Sequence, residues 1–149
     1  MNRKQPLPPT YFWIAAVLSL LFHFALPIAR LIPYPWTLAG IVPVIFGGVL
    51  NIWADQLFKK RNTTVKPFER PAQLITEGPF AFSRHPMYLG MVAILLGISI
   101  ICGSLMSFVG PIFYWVFIRV RFIPAEEQSM IDVFGDQYSA YKDQVHSLI

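Results

Sequence analysis

The run HPMYLGMVAILLGISIICGSLMSFVGPIFYWVFI, residues 85–118, contains 34 residues without a Lys, Arg, Asp or Glu. As a single helix it would reach about 51 Å at ~1.5 Å per residue, far beyond a hydrocarbon core of about 30 Å. The run therefore has to fold back, and Gly103-Ser104 is its best local turn signal. Two spans follow, about Met87 to Ile101 and about Leu105 to Ile123, with Arg119 and Arg121 extending to the headgroups at the end of the second. Two earlier charge-free runs, 25 residues from Gln5 to Ala29 and 24 from Leu31 to Ala54, predict spans over about Tyr11 to Ile28 and Pro35 to Ala54.

Composition agrees with this reading. Of the 149 residues 55% are hydrophobic and only 13% charged, against roughly 25% charged in soluble domains. Such a chain cannot build a charged shell, which excludes a soluble enzyme and a disordered tail. The single cysteine, Cys102, excludes a disulfide scaffold and a cysteine-based zinc site. The basic start, Arg3 and Lys4, resembles a signal peptide, but the apolar stretch after it is longer than the roughly 7–15 residues of such a segment and is read as a retained span. The expected fold is an all-α integral membrane protein of about four transmembrane helices. Residues 1–54 form a two-span region. Residues 55–149 form a core of linker, helical hairpin and short helical tail.

Charge placement sets the expected orientation. With four spans, 11 of the 12 basic residues fall on one side and only Arg30 on the other. The positive-inside rule then makes both termini cytoplasmic. It also accounts for the net charge of +4 without nucleic acid, and Lys59-Lys60-Arg61 is read as meeting anionic headgroups. Beyond the last span, Pro124 suits the start of a helix that Gly135 ends. Asp136 is placed to cap a second short helix carrying Tyr138, Tyr141 and Val145. This tail is expected to cover the membrane face.

Polar chemistry collects in two places. The first is residues 78–90, GPFAFSRHPMYLG, leading into the third span. Pro86 suits the first helical position and holds His85 outside the helix, beside N–H groups that lack intrahelical partners and favour a bound carboxylate or phosphate. Arg84 adds a cation, and Gly90 leaves room for a flat ligand near the backbone. An interfacial cap of Arg, His and Tyr is an equally good reading of these residues alone. The second place is Arg121 with Glu126-Glu127. Adjacent helical residues point about 100° apart, so one glutamate faces a ligand while the other pairs with an arginine. An acidic first turn suited to the helix dipole is the simpler reading of that pair by itself. The hairpin returns both clusters to one membrane face.

Together these residues carry a resemblance. The run Arg84-His85-Pro86-Met87-Tyr88-Leu89-Gly90, the Glu126-Glu127 pair, and Phe134-Gly135 with Tyr138 and Tyr141 resemble the isoprenylcysteine carboxyl methyltransferase family, within the wider group that includes phospholipid N-methyltransferases. Residues 63–67 and 74–80 also resemble the linker those proteins carry. The resemblance implies S-adenosylmethionine as methyl donor and a lipophilic or lipidated acceptor entering from the bilayer. It implies a cofactor pocket lined by His85, Pro86, Tyr88, Leu89 and Gly90 with a glutamate, Glu126 or Glu127, opposite. Arg121 and the other glutamate would lie toward the acceptor, with Arg84 in support. Ala81 departs from the pattern where many relatives have arginine. The acceptor stays open: a prenylated cysteine carboxylate, a phospholipid amine, or a small thiol.

Lesser polar signals fit other roles. His23 in the first span is read as a neutral histidine bonded to a neighbouring helix, and Asn51 as helix glue. Gly40, Gly47-Gly48 and Gly97 are expected to permit close helix packing. A small transporter would want a polar path at mid-membrane depth, and His23 with Asn51 is too little. A non-catalytic membrane assembly factor is the third class, separated from the enzyme by S-adenosylmethionine binding.

Overall fold

A computed structural model describes residues 7–26, 28–63 and 72–148. Arg3, Lys4, Lys66, Arg70 and residues 64–67 of the linker lie outside them. Six α-helices follow in order: α1 Pro8–Ala25, α2 Ile41–Lys60, α3 Pro86–Cys102, α4 Val109–Arg121, α5 Ile123–Phe134 and α6 Asp136–Gln144. Short 3₁₀ turns at Trp36–Gly40, Gly78–Ala81 and Leu105–Phe108 lead into α2, α3 and α4. Among the described residues there is no strand, only an isolated bridge between Arg30 and Ser104. The protein is all-α, as its charge-free runs require.

Three helical stretches are long and apolar enough to cross a membrane: Pro8–Ala25, Trp36–Lys60 and Leu105–Phe134. The apolar α3 is shorter, at 17 residues. It turns back on α4 at the expected place, because Gly103 adopts a left-handed φ of 69° and ends the helix. Ser99 and Ser107 lock the hairpin, each hydroxyl donating to the other's backbone carbonyl at 2.7 and 3.0 Å. The backbone N–H groups of Leu31 and Ile32 donate to the Gly103 carbonyl, tying the α1–α2 connection to this turn. His23 bonds there too, its Nδ1 lying 2.8 Å from Ser104 Oγ. It therefore serves the turn rather than a mid-membrane site.

Glycines set the spacing of α2 on α3. Gly40 faces Gly97 and Gly47 faces Gly90, so closely that a Cβ on any of the four would lie within 3 Å of the opposing helix. Both pairs are seven residues apart, which keeps them on one seam of two crossing helices. Gly48 meets nothing within 4 Å and takes no part. On the other side α1 packs on α4, where Gly110 lies against Ser19 and the Ala15 carbonyl. The buried core joins Ala15, Ala16, Tyr88, Leu95, Tyr114, Ile118, Phe122 and Ile123. Most large apolar side chains of α1 and α2, such as Trp13, Phe24, Val42 and Ile45, remain exposed, as lipid-facing residues do.

The tail closes the opposite end of the bundle. Ile123 opens α5 with Pro124 in its first turn, and Gly135, at φ 52°, separates it from α6. Asp136 is the first residue of α6 and makes no capping bond, contrary to the role expected of it. Tyr138 and Tyr141 are buried, and Tyr141 donates to the Phe80 carbonyl at 2.6 Å. The tail thereby holds the turn that precedes α3.

Candidate active site

The two polar clusters meet. Arg84 donates through Nη2 to Glu127 Oε1 at 2.7 Å, and through Nη1 to the carbonyls of Lys142 and Val145 at 2.8 and 3.1 Å. Lys142 Nζ lies 2.9 Å from Glu127 Oε2. His85 sits between the acids, its Nε2 3.4 Å from Glu127 and its Nδ1 3.5 Å from Glu126. Tyr88 donates its hydroxyl to Glu126 in a short hydrogen bond, and the His85 and Tyr88 rings stack 5.8 Å apart. Burial draws the His85 pKa down, but hydrogen bonds and charge from Glu126 and Glu127 outweigh it, leaving the pKa above the ordinary 6.5. The imidazole is thus biased toward its cationic, doubly donating form.

This geometry separates the glutamates. Glu127 is buried and shared by Arg84, Lys142 and His85, so its charge is spent on structure. Glu126 borders a cavity of about 260 Å³. Arg84, His85 and Tyr88 form the rest of its polar edge, and Leu7, Pro8, Pro9, Phe58, Phe80, Pro86, Met87 and Met91 form its apolar side. Arg84 Nε is buried and has no hydrogen-bond partner. The cavity therefore combines a carboxylate, a lining arginine and apolar walls.

Several sequence-based placements change. The N–H groups of Arg84 and His85 are not open to an anion, because they donate to the carbonyls of His146 and Ser147 at 3.0 and 3.2 Å. Ser83 donates to Ser147 as well. Residues 145–148 thus form a strap across the start of α3. Gly90 faces α2 rather than a ligand, since the Asn51 side chain and the Gly47 carbonyl fill the space a Cβ would need. Leu89 points to the other side of α3, into a groove of about 430 Å³ shared with Leu96, Trp115, Arg119 and Leu148. Arg121 is exposed at the end of α4, forms no hydrogen bond or ion pair among the described residues, and does not line the cavity. Among the described residues no group of three or more His, Cys, Asp or Glu is placed to hold a metal. Lys142, Met91 and the tail carbonyls were not anticipated. Met91, three residues beyond Tyr88 on the same helical face, was within reach of periodicity; the carbonyls carry no side-chain signal.

A bundle with lipid-facing helices, whose buried ion cluster borders a largely apolar cavity, defines an integral membrane protein with a candidate small-molecule site at one end. The chain belongs to the phospholipid methyltransferase family, whose profile matches residues 36–137. It is similar to protein-S-isoprenylcysteine O-methyltransferase of Rattus norvegicus, 33% identical over 72% of this chain and 38% of that protein. It is similar also to methanethiol S-methyltransferase 1 of Bradyrhizobium diazoefficiens, 30% identical over 98% of this chain and 55% of that protein. The solved structure of a eukaryotic intramembrane Ras methyltransferase, isoprenylcysteine carboxyl methyltransferase, superposes on the whole chain with a TM-score of 0.73 at 29% identity, covering 53% of that protein. The chain thus spans 38% to 55% of the length of these three relatives.

Proposed function

We propose that this chain is an integral membrane methyltransferase that takes a methyl group from S-adenosylmethionine and delivers it to a lipophilic acceptor. The observation that carries this reading is the convergence of Arg84, His85, Tyr88 and Glu126 on one cavity with an apolar far side. The residues present fit the cofactor. The free Nε–H of Arg84 suits a carboxylate, and the Glu126 carboxylate suits an ammonium or ribose hydroxyl. His85, Pro86 and Tyr88 would form the wall between them. When bound, S-adenosylmethionine supplies an electrophilic methyl on a cationic sulfonium.

Methyl transfer disperses charge, so positioning and exclusion of water contribute more than proton transfer. Glu127 acts as a positioning residue, fixing Arg84 and His85 through its ion pairs. Tyr88 holds Glu126 in place by its hydroxyl. If the acceptor carries a proton, the Glu126 carboxylate is the group placed to take it. Orientation follows the basic residues. Lys59, Lys60, Arg61, Arg84, Arg119, Arg121 and Lys142 lie at the helix ends nearest the site, while Arg30 lies at the opposite, hairpin-turn end. This supports a cytoplasmic site and tail.

The test is transfer of labelled methyl from S-adenosylmethionine to a membrane lipid extract, with the product identified by mass spectrometry. His85→Ala and Glu126→Ala are expected to abolish transfer while the protein still inserts into membranes. Full activity in both variants refutes the assignment.

A further inference from the structure

The apolar lining of the cavity includes one residue held from behind by a buried partner. Of the α3 residues that line it, Met91 lies furthest along the helix, on the face it shares with Tyr88. Behind Met91 stands Tyr114 of α4, fully buried at 0% exposure, whose hydroxyl donates to Met91 Sδ at 2.8 Å. A thioether is a weak acceptor, and a buried phenol ordinarily finds oxygen or nitrogen instead. Tyr114 thus uses its one donor to hold a side chain that has three rotatable bonds and would otherwise move freely. Ala15, Leu95 and Ile118 are buried in the same cluster, so the core is filled beyond this point.

We propose that Met91, pinned by the Tyr114 hydroxyl, is the stop that limits how long an apolar acceptor the cavity admits, and that the acceptor is a short-chain lipophilic nucleophile. The proposal rests on the methyl-transfer reading above. Each methylene that finds room raises kcat/KM about fourfold, and one that meets the stop does not. Removing the side chain lets the rise continue, while Tyr114→Phe keeps the volume and frees Met91 to swing aside.

The experiment measures methyl transfer to n-alkanethiols and n-alkylamines of increasing length by the wild type, Met91→Ala and Tyr114→Phe. The wild-type rate is expected to rise with length and then fall sharply. Met91→Ala moves that limit outward by roughly the three heavy atoms removed, and Tyr114→Phe blurs it. A purely structural role would scale all lengths together, so profiles of unchanged shape in both variants overturn the proposal. A second readout does not need turnover. Short n-alkanols protect the wild type against thermal unfolding whereas long ones do not, and Met91→Ala is protected by longer ones as well. Absence of protection, or equal protection at every length, overturns the stop. Loss of transfer to every acceptor in the wild type, with length-dependent protection retained, overturns the functional reading and leaves the stop standing.

Discussion

Arg84 and Glu127, 43 residues apart in sequence, form a buried ion pair of 2.7 Å that joins the start of α3 to α5. Their side chains are only 9% and 11% exposed, so neither charge is well solvated when its partner is removed. Glu127→Ala is expected to destabilise the protein by about 3–5 kcal/mol, the usual cost of leaving a buried charge unpaired. Glu126→Gln should leave thermal stability nearly unchanged and weaken S-adenosylmethionine binding. Thermal unfolding in detergent alongside a binding isotherm separates the two, and equal destabilisation would contradict the division of roles.

The strap offers a second test. Deleting residues 145–149 removes the carbonyls that accept from Arg84 and His85 and leaves both N–H groups without those partners. The helical bundle should persist by circular dichroism, while affinity for S-adenosylmethionine falls at least tenfold. Tyr141→Phe, which deletes a buried hydrogen bond of 2.6 Å to Phe80, should cost about 1 kcal/mol without that loss of affinity.

His85 gives the site a pH dependence with a definite sign. Its pKa is raised in the folded protein, so the contribution to stability is complete below about 6.5 and is lost as pH rises through the raised value. Unfolding temperature should therefore decline as pH rises above about 6.5 and through the raised value, and His85→Gln should flatten that decline. An unchanged slope in the variant would exclude His85 as its source.

The glycine seam predicts damage unrelated to ligand binding. Gly97→Val drives a branched side chain into the Gly40 carbonyl and Val44, and is expected to cost at least 1–3 kcal/mol. Gly48→Ala, one residue from the seam with nothing within 4 Å, should be neutral. Equal effects would place the helix contact elsewhere.

The spans were legible because charge-free length is a property of sequence alone, and the fold-back at Gly103 followed from a run too long to cross once. The meeting of Arg84-His85 with Glu126-Glu127 followed from that fold-back. The face of each residue did not. Gly90 read as open backbone because nothing local says that α2 lies over it. Arg121 read as lying toward the acceptor because a resemblance gives a position and not a direction, and at the end of α4 it is exposed and away from the cavity. The partners of the Arg84 and His85 N–H groups are backbone carbonyls, whose position depends on where the tail lands and not on which side chains it carries. Met91 looked like any apolar residue of a span until Tyr114 appeared behind it.

The strap also bears on biogenesis. Because Ser147 supplies an acceptor to His85, the hairpin can enter the lipid while the ribosome is still translating, yet the Arg84–His85 cluster stays unfinished until those later residues emerge. Assembly is therefore timed by the emergence of residues 145–148, and a nascent chain stalled short of them would be inserted with this cluster open.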